Sequence, residues 1–451
     1  MSYKTGVDIR KFNTFHANNP LNFVGDRVLR NNYALDRLRV IIPVGGKATR
    51  LLPLTAETSK ACLRLLNRPM IDFSLLPLAR QGIRNFIFGV KGYTNYRDLH
   101  DYFESGYGFS ARYDITPRVH IKYQPNVDDF GSASSAMINM EYYNVRDPVF
   151  AVQGDNIFDV NVKELVKFHE QKGAMMTIAL RRVDNVEGYG IADINKEMQI
   201  SRFVEKPTPK EAPSDLANTG LYMFSPEIRK VFKERGVKQI IQERHRLDFG
   251  FDFIPYLIST GRPVFGFALE GSWYDVGTPQ RYLEAMHDML NGRFSSLTDF
   301  GGRIDEKKRI WVQGESTESM KRRKEILRKI EQKKIAIEGS VLIGRHCKIG
   351  DGARIIDSCI DNYTEVGEGA EIENSAVMDR VIIGEKAEIR ESIVGRHVTV
   401  RSTGKKRTKI GDASVIADDV VVAEGCILEG TKVYPHQYVR GEFMKQTLMP
   451  G

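Results

Sequence analysis

An α/β domain built on a doubly wound, mostly parallel sheet, followed by a parallel β-helix, is the architecture this sequence predicts. Between residues 39 and 290, short β-branched runs alternate with segments whose apolar residues recur at helical spacing. That is the pattern of strands joined by crossover helices. From Ile337 onward aliphatic residues recur every six positions, often with glycine directly after, as at Ile343-Gly344, Ile349-Gly350 and Ile383-Gly384. A hexapeptide period of this kind stacks coils around an aliphatic bore. Between the two patterns, residues 315–334 are rich in helix formers and carry eight Lys/Arg against four Glu.

In chain order, residues 1–38 read as a polar N-terminal extension, with a short helix over 26–38. Residues 39–300 form the α/β domain. Its core strands are predicted at Arg39–Val44, 85–90, 119–124 and 148–153, and its helices at 69–82, 96–104, 132–140 and 162–172. Two later helices show start signals, Ser225-Pro226-Glu227 and Thr278-Pro279, each with a hydroxyl before a proline. Residues 301–336 read as a helical linker whose Met320, Ile326, Leu327 and Ile330 share one side. Acids interleave its bases and no aromatic lies among them, so a solvated connecting helix is favoured over a nucleic-acid or membrane patch. Residues 337–451 form the β-helix, with about five coils expected. Its sets run Ile337, Ile343, Ile349, Ile355, then Ile360, Val366, Ile372, with a one-residue shortfall between sets. Residues 401–408 (RSTGKKRT) break the period and should loop out. Exposed coil ends and sheet edges make a homo-oligomer the expected state.

Composition excludes several classes. The 451 residues carry 66 Lys+Arg and 58 Asp+Glu, a net charge of +8, with 41% hydrophobic and 27% charged residues. That is globular composition, not wholesale disorder. No apolar run approaches the ~18 residues of a membrane helix, and the first residues have no apolar core of a secretory signal. Four dispersed cysteines without a CxxC argue against a disulfide framework or a zinc site and point to a reducing, cytoplasmic setting. The mild positive excess suits an anionic small molecule at least as well as nucleic acid. Neither nucleic acid nor membrane is expected as a partner.

The chemistry concentrates after the first strand, in Gly45-Gly46-Lys47-Ala48-Thr49-Arg50-Leu51-Leu52-Pro53-Leu54-Thr55, then Ser59-Lys60 and Asn67-Arg68-Pro69. A glycine pair after a buried strand lets backbone amides approach phosphate oxygens, and Arg50 and Lys60 add two cations. The spacing matches neither a Walker A loop nor a GxGxxG fingerprint.

This string resembles the signature loop of the sugar-1-phosphate nucleotidyltransferases. Further matches follow in the family's order at Gln124, Gly131-Ser132-Ala133, Gln153-Gly154-Asp155, Gly188-Tyr189-Gly190, Phe203-Val204-Glu205-Lys206-Pro207, Asn218-Thr219-Gly220 and Trp273-Tyr274-Asp275. The resemblance implies a Rossmann-like nucleotidyltransferase domain, a left-handed hand for the β-helix, and NTP and sugar-1-phosphate as substrates. It implies that Val44, Gly45, Gly46, Thr49, Gln124 and Gly131 hold the nucleotide, and that Arg50, Lys60 and Lys206 act on the phosphates. Gly190, Glu205, Asn218 and Thr219 would line the sugar pocket, and Asp155 and Asp275 would bind Mg²⁺. Glucose-1-phosphate and mannose-1-phosphate are the sugars it suggests.

One departure stands out. The family's third glycine is Ala48 here, which costs on the order of 1 kcal/mol if the position needs a positive φ. This leaves open a non-catalytic, nucleotide-sugar-binding regulatory subunit. A third reading adds an acyltransferase site in the β-helix around His346 and His397.

Overall fold

The computed structural model describes residues 35–46, 48–125, 130–305 and 308–449. The helix expected over 26–38 lies almost wholly outside them; residues 35–37 form a turn. From Ala34 on the chain is one compact unit.

The first strand, β1 (Arg39–Val44), forms where expected because its β-branched residues are buried on both faces. It lies between β2 (Asn85–Val90) and β4 (Val149–Val152), parallel to both, and β2 in turn pairs in parallel with β3 (His120–Pro125). Helices Asp72–Arg80, Tyr93–Phe103, Ser132–Tyr142 and Val162–Gln171 match the predicted helical segments. The chain order reverses across β1, so a crevice opens beyond the carboxyl ends of β1 and β4.

Beyond β4 the sheet is mixed. A short strand β5 (Asn156–Phe158) stands off it, and β6 (Met176–Arg182), β7 (Gly190–Ile194), β8 (Ile200–Glu205) and β9 (Leu216–Phe224) follow. β9 is antiparallel to β4, β6 and β7, and β8 to β7. Short turns such as 195–199, where Asn195 Oδ1 accepts the N–H groups of Glu197 and Gln199, cannot make the long crossover that parallel strands need. A last strand, β10 (Val264–Ala268), pairs in parallel with β6. The strand β11 (Trp273–Asp275) pairs with β5, setting Asp275 opposite Asn156.

The two start signals fared differently. Thr278 caps Pro279–Leu290, its hydroxyl accepting the Arg281 N–H. Ser225 caps nothing. Its hydroxyl donates to the Ala174 carbonyl and meets Nε2 of the buried His169, and the short helix Ile228–Phe232 begins three residues later.

The C-terminal region is a left-handed parallel β-helix with, among the described residues, three sheets of eight, seven and six strands. The aliphatic ladders are in register: Ile337, Ile355, Ile372, Ile389, Ile410 and Leu428 on one face, and Ile349, Val366, Ile383, Val400, Val422 and Val439 on another. Six strands in the smallest sheet mean six full turns, one more than expected. The stack also starts earlier: Ile310–Val312, inside the predicted linker, pairs with Val341–Ile343. Helix Thr317–Glu331 rests Ile326, Leu327 and Ile330 on the aliphatic bore, and Lys329 donates to the Ile349 carbonyl at 2.7 Å. It is the connecting helix predicted, used here to cover apolar surface. Residues 401–408 loop out between Thr399–Val400 and Lys409–Gly411. His346 and His397 occupy corner positions with positive φ that Tyr363, Arg380, Asp419 and His436 occupy on other coils.

Candidate active site

The loop after β1 turns sharply. Ala48 sits in the left-handed region at φ 47°, ψ 38°, and its carbonyl accepts the Thr55 hydroxyl and the Leu51 N–H, both at 3.0 Å. Those two bonds hold the strained residue in place. Beyond it, a 3-10 turn (Thr49–Leu51) presents Arg50. A cleft of about 490 Å³ opens here, and Val44, Gly45, Gly46, Thr49, Arg50, Lys60, Gly131 and Asp155 all line it. Residues more than a hundred positions apart in the chain thus share one wall system at the carboxyl edge of β1 and β4.

Asp155 follows β4 and meets Lys60, Nζ to Oδ2 at 2.8 Å. Asp275, on the neighbouring pair of short strands, is held by Arg281 at 2.7 Å. A Cβ on Gly277, which lines the cleft, would stand 2.7 Å from Arg50 Nη2 and 3.3 Å from Asp275 Oδ1. The Asp275 carboxylate therefore reaches the rim beside Arg50. Both aspartates are neutralised by cations from within the chain. No group of three or more His, Cys, Asp or Glu side chains suited to a metal occurs among the described residues.

Asp248 links the cleft to the surroundings of Glu205. The Asp248 carboxylate lines the cleft, accepts the Ser132 N–H at 3.0 Å and its hydroxyl at 3.2 Å, and presses on Gly131, where a Cβ would lie 2.5 Å from Oδ1. Gly131, at φ 139°, is the residue type this approach requires. Immediately after comes a π-helical turn, Phe249–Phe253. Its Gly250 and the strand-start Gly190 enclose the Glu205 carboxylate so closely that a Cβ on either would collide with it. Burial raises the pKa of this carboxyl, while Lys206 opposes the rise and Asp248 adds to it. Lys206, itself at φ 50°, places its ammonium 5.5 Å from the ring of Phe251.

Three expected residues are placed differently. Thr219 is 1% exposed and its hydroxyl donates to the Ala179 carbonyl at 2.8 Å, so it offers no side chain to a sugar pocket. Asn218 folds back on its own strand, Nδ2 donating to the Tyr222 hydroxyl and Oδ1 accepting the Gly220 N–H. Gln124 is absent from the cleft wall; its amide donates to the Pro125 carbonyl at 3.2 Å. Sequence reasoning also missed Asp248 and Arg281. Arg281 lies three residues after the capping Thr278, the signal that could have placed it beside Asp275.

The nucleotidyl transferase family model matches residues 39–292, more than half the chain, and the GMPPB C-terminal domain model matches residues 337–449. A UTP–glucose-1-phosphate uridylyltransferase of Synechocystis sp. is 27% identical over 329 residues, covering 71% of this chain and 77% of that protein. A glucose-1-phosphate adenylyltransferase of Fusobacterium nucleatum is 29% identical over 335 residues (71% and 84%). Another, of Bacillus mycoides, is 30% identical over 271 residues (58% and 70%). A crystal structure of a glucose-1-phosphate thymidylyltransferase from Bacillus anthracis aligns with TM-score 0.47 and 24% identity, covering 60% of this chain and 98% of that one. With its glycine loop, cationic cleft and stacked-coil tail, the chain belongs to the nucleotidyl transferase family, among the sugar-1-phosphate nucleotidyltransferases that carry a β-helix.

Proposed function

We propose that this protein condenses a nucleoside triphosphate with a sugar-1-phosphate, glucose-1-phosphate or mannose-1-phosphate, to give a nucleoside-diphosphate sugar and pyrophosphate, with Mg²⁺ as cofactor. The observation that carries the reading is the convergence of Arg50, Lys60 and Asp155 behind the Gly45-Gly46 loop. A phosphate oxygen of the sugar-1-phosphate attacks the α-phosphorus, and the bond to the bridging oxygen of the departing pyrophosphate breaks. The attacking oxygen is already anionic, so no protein nucleophile or base is needed, and alignment with charge neutralisation does the work.

In this reading the amides of Gly45 and Gly46, with Arg50 and Lys60, hold the triphosphate and then the pyrophosphate. Lys206 holds the sugar phosphate, and Glu205 accepts hydrogen bonds from sugar hydroxyls. Gly131, Val44 and Thr49 bound the nucleoside. Two carboxylates, Asp155 in the turn just before β5 and Asp275 on the paired strand β11, are an all-oxygen donor set that fits Mg²⁺, which keeps waters and phosphate oxygens as its other ligands. Asp155 and Asp275 would hold it. When bound, the ion supplies positive charge to the α-phosphate. Lys60 and Arg281 then exchange their aspartate partners for substrate oxygens or solvent.

The regulatory-subunit reading is favoured by one observation, the left-handed Ala48 in the phosphate loop. A pyrophosphate-release screen crossing four or five NTPs with a panel of sugar-1-phosphates in Mg²⁺ separates the two. Turnover of at least one pair is expected. Thermal stabilisation by an NDP-sugar with no turnover of any pair would establish the sensor instead.

A further inference from the structure

The segment that carries Lys60 runs from the cleft to the β-helix. Lys60 opens a 3-10 turn (Lys60–Cys62), and Arg64 follows at the start of a two-residue strand. On one side Ser59 is fixed to helix Tyr93–Phe103, its N–H donating to Asp98 Oδ2 and its hydroxyl to Asn95 Oδ1, both at 2.7 Å. On the other side the Arg64 fork grips a β-helix carboxylate. Nε donates to Asp361 Oδ2 and Nη2 to Asp361 Oδ1 at 2.8 Å, while Nη2 also reaches the Asn67 carbonyl at 2.8 Å. Asp379, on the next coil, stands 3.5 Å from Nε.

The two aspartates are unlike surface ion-pair partners. Asp361 is 2% and Asp379 6% exposed. Asp379 is shared with Arg396 at 3.0 Å and Arg380 at 2.6 Å. For Asp361, Arg64 is the one ion-pair partner among the described residues. Burial raises the Asp361 carboxyl pKa, and the Arg64 guanidinium opposes the rise. A buried pair of this kind gives little net stability against an apolar replacement, because both charges lose their water. What a bidentate fork does provide is a fixed distance and angle. Two further contacts tie the same segment to the coils: Asn67 Oδ1 accepts the Cys359 thiol at 3.2 Å, and Glu57 meets His436 at 3.1 Å. The β-helix therefore touches this segment on both sides of Lys60.

We propose that Asp361 and Asp379 of the β-helix are positioning residues for Lys60, acting through Arg64, so that the β-helix sets where the Lys60 ammonium meets the pyrophosphate. The proposal rests on the reading of Lys60 as a phosphate ligand. Alignment catalysis makes such placement matter, since a shift of about 1 Å can cost on the order of a hundredfold in rate.

The test uses the full chain with Asp361→Asn and Arg64→Lys. Calorimetry measures the Kd of Mg²⁺-pyrophosphate, and steady-state kinetics the KM of each substrate. Pyrophosphate binding weaker by about tenfold and a raised KM for the NTP are expected, with the sugar-1-phosphate KM within about twofold, because Glu205 and Lys206 are untouched. A merely structural role would lower thermal stability and active fraction while leaving every constant alike. Should Asp361→Asn fail to fold, Arg64→Lys carries the test, since it keeps a cation against the buried carboxylates and loses only the fork. Unchanged pyrophosphate affinity in a folded variant, with normal wild-type turnover, overturns the positioning role alone. A wild type that neither turns over nor binds pyrophosphate overturns the reading beneath it, and the positioning role with it.

Discussion

Ala48 departs from its family and adopts the backbone region that only glycine enters without cost. An L-residue there costs on the order of 1 kcal/mol, so Ala48→Gly should raise unfolding free energy by about that amount, read from urea denaturation. Turnover should hold or rise, because the methyl leaves the cleft wall. Glu205 gives a pH signature. Its pKa lies above the ordinary glutamate value of 4.5, so the proton is held more tightly folded than unfolded. This contribution to stability is therefore present at low pH and lost as pH rises through the raised pKa. On the proposed reading sugar binding needs the carboxylate, so the sugar-1-phosphate KM should climb as pH falls through that same raised value. Glu205→Gln should abolish the acid limb while raising KM at neutral pH. Arg50, Lys60 and Asp155 were legible because their order along the chain is distinctive. The burial of Thr219 and the binding of Ser225 to His169 were not, since both depend on hydrogen-bond partners far away in the chain.

Elements were legible wherever a period repeats. β1 and its helices emerge from buried β-branched runs and helical spacing, and the β-helix emerges from an aliphatic every six residues. Strand Ile310–Val312 was missed because three residues carry no period, and it is a strand only because Val341–Ile343 lies beside it. The antiparallel half of the sheet was hidden for a similar reason: local patterning distinguishes strand from helix, not the direction of the partner. Helix Pro279–Leu290 ties its own cap to Asp275. Its Thr278 cap satisfies the Arg281 N–H, and the Arg281 side chain holds Asp275. Thr278→Ala should lower stability by about 1 kcal/mol in urea unfolding and, by loosening Arg281, weaken the apparent affinity for Mg²⁺.

On the proposed reading, charge is distributed across the whole molecule so that two polyanions can meet. Arg50 and Lys60 line the cleft with Asp155, which precedes β5, while Asp275 stands on the paired strand β11 and Lys206 lies beside Glu205. The β-helix braces the segment bearing Lys60, so both parts of the chain contribute to one site. On the proposed reading the two aspartates jointly provide an ion site. Its most direct measurement is the Mg²⁺ dependence of pyrophosphate release at saturating substrates, for wild type, Asp155→Asn and Asp275→Asn. Each substitution should raise the half-saturating Mg²⁺ concentration or lower the rate by about a hundredfold or more, with the fold retained. Wild-type Mg²⁺ dependence and rate in either variant would contradict the shared site.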